Sequence, residues 1–384
     1  MLQQPRFYHC QLRQQPKEPF RQFHHHPLPF YLTMGGALPR LTLAYETWGT
    51  LNEAKDNALL LFTGLSASAH AASHQAEDTP GWWEAMVGPN RALDTNRYFV
   101  LCVNHLGSCF GSTGPAECNP DAGIPYGLGF PPLAIRDLAI AVDLVAEALG
   151  VRQFSLVVGT SLGGMCALEY AACFPKKTRG LVSISATGRS GPQSIAFRHV
   201  QRQLILNDPK FRQGQYYGMD DPPLDSMVLA RQIGNISYRS REEWEQRFGR
   251  RRTKAGFHLE ADFEVETYLQ HMGEKLGQFF DPNSFLFLSR AMDLFSLGQG
   301  FSSYREGVER LEGKALIIGV TRDMLFPLKE QEELHHELLL AGVASRFAVL
   351  DSPAGHDAFL VEFPFFEKEL RHFLEELDLK RGWP

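Results

Sequence analysis

Cysteine is scarce in this chain, with six in 384 residues, at positions 10, 102, 109, 118, 166 and 173. No two of them make a C-x-x-C pair, and none stands at zinc-finger spacing from a histidine, so no metal is expected and a reducing compartment is the simpler setting. Long apolar runs are missing as well. Stretches such as Ala58 to Phe62 stop far short of the roughly 20 residues a membrane helix needs. An excess of positive charge is also absent. The formal charge is -6 with a sequence pI near 6.2, the opposite of a nucleic-acid footprint. No internal repeat or low-complexity tract is evident. What remains is the composition of a folded enzyme, 44% apolar and 21% charged, with small molecules as its expected partners.

The first 40 residues carry Arg6, Arg13, Lys17, Arg21 and Arg40 against the single acid Glu18. That bias resembles an organellar transit peptide, but prolines 5, 16, 19, 27, 29 and 39 interrupt any long amphipathic helix. The expectation is a flexible tail over residues 1–35 and a cytoplasmic protein, with mitochondrial import as the alternative.

Beyond the tail the pattern alternates. Leu41 to Thr47, Asn57 to Thr63 and Tyr98 to Val103 read as strands. Ile135, Leu138, Val142, Val145 and Leu149 share one helical face closed by Gly150, and Leu181 to Ala186 is a further strand. Such alternation predicts an α/β fold with a mostly parallel central sheet and helices on both faces. From residue 188 to 313 strand-like runs stop and helix-leaning segments take over, which predicts an inserted helical cap. The core then comprises residues 36–187 and 314–384, its second part opening with a strand at Ala315 to Val320 and ending in an amphipathic helix from Phe363.

One pentapeptide carries chemistry. Gly159-Thr160-Ser161-Leu162-Gly163 follows the apolar run Phe154 to Val158 and precedes a helix-like stretch, the strand, sharp turn and helix of a nucleophile elbow. Ser161 is the candidate nucleophile, with Gly159 and Gly163 lacking the Cβ atoms that would collide at such a turn. A serine hydroxyl needs a base, and the base needs an orienting carboxylate, in the chain order Ser, Asp or Glu, His. Asp323 follows one late strand by three residues, and His356 lies in the loop after the last strand. Asp293 and Asp351 are the alternative acids. An oxyanion hole in this architecture takes the N–H of the residue after the nucleophile and one from an early loop, here Leu162 and Leu65. Up to this point the residues specify a serine acyl-transfer site, for which a carboxylester hydrolase is the default reading.

Longer motifs narrow that. Gly81-Trp82-Trp83-Glu84, Asn104-His105-Leu106-Gly107-Ser108-Cys109, Ser112-Thr113-Gly114-Pro115, Leu229-Ala230-Arg231 with Tyr238-Arg239-Ser240, and Gly355-His356-Asp357-Ala358-Phe359 resemble the homoserine O-acetyltransferase family of the α/β-hydrolase fold. Thr63 to Ala71 and Leu288 to Asp293 look closest to its serine O-succinyltransferase branch. The resemblance spans about residues 35–375. It implies a ping-pong O-acyltransferase that uses acetyl-CoA or succinyl-CoA as co-substrate, with no bound cofactor, and L-serine or L-homoserine as acceptor, on the way to cysteine or methionine. It further implies that Arg231 holds the acceptor carboxylate with Tyr238 nearby, that Asp357 meets its ammonium, and that the protein is a homodimer. Cys166 departs from the polar residue common at that position of the elbow helix. Arg250-Arg251-Arg252 and Lys254 are candidate partners for CoA phosphates or, equally, a solvated basic loop.

Overall fold

Every residue of Ala58–Phe62, Phe99–Val103, Phe154–Thr160 and Gly180–Ile184 is buried, which a strand achieves only inside a sheet covered on both faces. The computed structural model describes residues 20–75, 79–259, 262–277 and 279–378. Its main sheet has eight strands: β1 (Gln22–His26), β2 (Leu41–Trp48), β3 (Ala58–Phe62), β4 (Phe99–Val103), β5 (Phe154–Thr160), β6 (Gly180–Ile184), β7 (Lys314–Val320) and β8 (Ala344–Leu350). Their spatial order is β1-β2-β4-β3-β5-β6-β7-β8. β1 and β2 are antiparallel, as are β2 and β4, and all remaining pairs are parallel.

Alternate side chains of one strand serve two different cores. Leu60 and Phe62 face a cluster that includes α1 (Ile135–Ala148) and α2 (Leu162–Cys173). Leu59 and Leu61 face the other, where Trp83 and Phe366, Leu370, Phe373 and Leu374 of the C-terminal helix pack. Burying each such leucine or phenylalanine contributes about 1.5–3 kcal/mol.

The helical stretch between β6 and β7 contains α3 (Pro192–Leu206), α4 (Leu224–Tyr238), α5 (Arg241–Arg247), α6 (Glu264–Gly277), α7 (Pro282–Leu294) and α8 (Tyr304–Glu309). Among the described residues it adds no strand to the main sheet. The chain closes with α9 (Leu328–Leu340), β8 and α10 (Phe363–Asp378). Asp281 caps α7 by accepting from Ser284 N–H at 2.8 Å, and Ser240 caps α5 through Glu243 N–H at 3.1 Å.

The N-terminal expectation needs correction. Residues 22–35 are not a tail: Gln22–His26 pairs in register with Leu41–Tyr45, and Phe30 and Leu32 are buried in the core. Backbone bonding to the open edge of β2 holds this strand, so it needs no apolar alternation and its Gln-Phe-His-His-His sequence shows none. Residues 1–19, with Arg6, Arg13 and Lys17, lie outside the described residues. Among the described residues no helix is long and apolar enough to cross a membrane.

Candidate active site

Four loops leave the carboxyl ends of parallel strands and meet at one edge of the sheet: residue 63 onward after β3, residue 161 after β5, residue 321 after β7 and residue 351 after β8. Open α/β sheets present their ligand sites at this edge. Ser161 stands there with φ 55° and ψ -122°, a strained backbone for a residue with a side chain. The glycines on either side explain how the turn closes. A Cβ on Gly159 would stand 2.0 Å from the Gly163 carbonyl oxygen, and one on Gly163 would stand 2.3 Å from the Phe62 carbonyl oxygen. A side chain at 159 would push α2 off its own strand, and one at 163 would push it off β3.

His356 Nε2 lies 2.9 Å from Ser161 Oγ, and its Nδ1 lies 2.8 Å from Asp323 Oδ2. The second Asp323 oxygen accepts from the N–H groups of Leu325 and Phe326 at 2.9 and 2.8 Å, which fixes the carboxylate plane. An ionised carboxylate only accepts, so Nδ1 carries the proton and Nε2 is free to take one from the serine. Burial by itself would lower the His356 pKa; the charge and hydrogen bond of Asp323, with the charge of Asp357, outweigh burial and hold it above the usual value. The rings of Tyr238, Phe326 and Phe359 surround the imidazole at centroid distances of 5.6, 5.3 and 5.7 Å.

The two alternative acids are engaged elsewhere. Asp293 is buried between Arg198 Nε at 2.6 Å and Arg202 Nη2 at 2.5 Å. Asp351 pairs with Arg322 and with Thr321 at the surface, away from His356.

Ser161 opens into a cavity of about 450 Å³, lined by the loop Gly64 to Ala67 and by residues of α4 and α6. Leu65 lines it; Leu162 is the first residue of α2, so its N–H is one of the amides a helix leaves without an internal partner. Two buried residues brace the Leu65 loop. His105 Nε2 donates to the Thr63 carbonyl at 2.9 Å, and burial holds that imidazole near a pKa of about 4, hence neutral. Asn104 Oδ1 accepts from the Ala69 N–H at 2.6 Å.

Arg231, Tyr238 and Asp357 all line the same cavity. Arg231 Nη1 donates to Tyr238 Oη at 3.2 Å, and among the described residues its guanidinium makes no ion pair. Asp357 is not free of partners, since Arg239 Nη2 stands 3.1 Å from its Oδ2. Arg239, Trp82, Met272, Lys275 and Phe279 were not among the expected site residues. Trp82, Arg239 and Phe279 come from loops and helix ends, and Met272 and Lys275 from within α6, where helical periodicity does not tell which residues meet a cavity; only the Trp82-Trp83 and Tyr238-Arg239-Ser240 motifs hinted at two of the five. Cys166 is fully buried in the core and does not line the cavity. Of the basic run, Arg251 and Arg252 are tied to Glu264 at 2.6 Å and Asp262 at 2.9 Å.

A second polar group lies outside the cavity. Glu46 Oε2 contacts His70 Nδ1 and His74 Nε2, both at 2.9 Å, and these three ligand-type atoms lie within 4.8 Å of one another. His70 Nε2 also faces the Thr79 carbonyl at 2.7 Å, so hydrogen bonding accounts for the arrangement.

An elbow serine, a buried histidine and a loop aspartate at the carboxyl edge of a mostly parallel sheet define an α/β hydrolase in the structural sense, and an α/β-hydrolase fold family model matches residues 57–363. The chain is 46% identical over 360 residues to a homoserine O-acetyltransferase of Symbiobacterium thermophilum, covering 92% of this chain and 94% of the relative. It is 46% identical to a serine O-succinyltransferase of Litchfieldella anticariensis, covering 92% and 98%. The crystal structure of homoserine O-acetyltransferase from Bacillus anthracis superposes with a TM-score of 0.86 at 25% identity, covering 92% of this chain and 98% of that one. The chain therefore belongs to the homoserine O-acetyltransferase family.

Proposed function

We propose that this protein moves an acyl group from a CoA thioester to the side-chain hydroxyl of L-serine or L-homoserine, by way of an acyl-Ser161 intermediate. One observation carries the choice of transfer over simple ester hydrolysis. Arg231 presents to the cavity that Ser161 opens into a guanidinium that has no carboxylate partner among the described residues. Such a two-donor fork is matched by the carboxylate of an amino-acid acceptor, and cleavage of a plain ester has no use for it.

The steps follow from the residues. Ser161 Oγ attacks the thioester carbonyl as His356 Nε2 takes its proton, and the oxyanion is held by the N–H groups of Leu65 and Leu162. The resulting imidazolium, steadied by Asp323, returns that proton to the departing sulfur, releasing free CoA and leaving an ester on Ser161. The acceptor then enters with its carboxylate on Arg231 and its ammonium on the Asp357 oxygen not held by Arg239. His356 takes the hydroxyl proton, the new ester forms, and the proton goes back to Ser161 Oγ. Apolar walls from Trp82, Met272 and Phe359 keep water scarce around the acyl-enzyme, which favours the bound alcohol over hydrolysis.

The test is free-thiol release from acetyl-CoA and succinyl-CoA, with and without each amino acid. Release that rises in step with serine or homoserine, and disappears in Ser161→Ala, is expected. Release at the same rate without an acceptor would contradict transfer.

A further inference from the structure

The reaction cavity measures about 450 Å³, toward the small end of ligand pockets, whereas CoA is a long molecule whose nucleotide and phosphates lie far from its sulfur. The arm of the donor must therefore cross the cavity rim. Three rim residues have the chemistry to receive it. Phe279 is 66% exposed and Leu360 is 36% exposed, although both line the cavity. Lys275, in the last turn of α6, is exposed, lines the same cavity and makes no ion pair among the described residues.

Resting on the acyltransferase reading above, we infer that Phe279 and Leu360 form the strip that carries the pantetheine arm of the acyl-CoA donor, and that Lys275 meets its phosphates. Charge accounting supports the second half. The zwitterionic acceptor needs one cation and one anion, and Arg231 and Asp357 supply them. Lys275 is then a surplus cation at the mouth, and the donor is the ligand that brings negative charge there. The other cation source, the run from Arg250 to Arg252, has two of its three guanidinium groups committed to Glu264 and Asp262. The apolar half follows from exposure. A single exposed phenylalanine needs no explanation, but an exposed aromatic and an exposed leucine that both line a reaction cavity offer apolar area to the methyl and methylene groups of a flexible, uncharged arm.

The test compares two donors with the same acyl group, one on CoA and one on N-acetylcysteamine, which lacks the phosphates. Lys275→Glu is expected to lower kcat/KM for the CoA thioester by roughly tenfold or more and for the N-acetylcysteamine thioester by less than about twofold. Lys275→Arg should restore the CoA value. Phe279→Ser should raise KM for the CoA donor several-fold with kcat little changed. Calorimetric titration with CoA alone should show the same loss of affinity in Lys275→Glu. Equal losses on both donors would mean that Lys275 serves the acyl group or the acceptor, and would overturn the inference. So would a CoA-specific loss in Arg250→Ala/Lys254→Ala with Lys275→Glu unaffected. If the wild type shows no acceptor-dependent thiol release from either donor and binds no CoA, the acyltransferase reading itself falls, a result distinct from transfer that ignores Lys275.

Discussion

Arg231 and Tyr238 sit two turns apart on α4 and touch. Arg231 Nη1 is 3.2 Å from Tyr238 Oη, and the guanidinium carbon is 5.1 Å from the ring centroid. The tyrosine thus holds the fork in one orientation at the cavity wall, and its own ring lies 5.6 Å from that of His356. Arg231→Lys keeps the charge but loses the planar fork, so acceptor KM should rise roughly tenfold, and Arg231→Leu should raise it roughly a hundredfold. Steady-state kinetics with varied acceptor will measure this. The burst of free CoA in the absence of acceptor should be unchanged in both variants, because the donor half-reaction does not use Arg231.

The pH profile should report His356. The imidazole works as a base only when neutral, and its pKa in the folded protein lies above the usual histidine value because Asp323 outweighs burial. Rates of acylation at low donor concentration should therefore fall as pH drops, with a midpoint above that of an ordinary histidine. In Asp323→Asn the stabilising charge is gone and burial remains, so any residual activity should titrate with a midpoint below that of the wild type. A midpoint that does not move would show that Asp323 is not the partner of His356.

Asp323 and Asp293 separate activity from stability. Asp323→Asn should lower kcat by about 10⁴ while barely changing the unfolding midpoint in denaturant. Asp293→Asn breaks a buried pair shared with Arg198 and Arg202, and should cost about 3–5 kcal/mol of stability. Denaturant titration and single-turnover kinetics on the two variants check both halves of this contrast.

How far the chain could be read follows from where each signal originates. Strands buried on both faces announce themselves as unbroken apolar runs, so the sheet was legible, and so was the serine, because its elbow demands glycine at 159 and 163. His356 and Asp323 were legible through chain order. The edge strand Gln22–His26 was not, since its hold is backbone bonding to β2 and its side chains need no pattern. Arg239 was missed for a related reason. Its ion pair with Asp357 joins residues 118 apart in the chain, and no local spacing encodes that meeting.

The elbow glycines offer a test of the fold at the site. Gly163→Ala places a methyl group 2.3 Å from the Phe62 carbonyl oxygen and 2.6 Å from that of Thr63, so β3 and the helix α2 must part. Loss of about 3 kcal/mol of stability is expected, together with loss of thiol release. By contrast, Gly64→Ala meets nothing within 4 Å and should fold normally. Thermal or denaturant unfolding of the two alanine variants side by side measures the difference.

The acyl-Ser161 intermediate is the point on which everything else depends, and intact-protein mass spectrometry reads it directly. Brief exposure to acetyl-CoA or succinyl-CoA without acceptor should add the mass of one acyl group to the wild type, on the peptide that contains Ser161. Adding serine or homoserine should then remove it with formation of the O-acyl amino acid. An adduct that never forms on Ser161, or that forms equally in Ser161→Ala, would contradict the account.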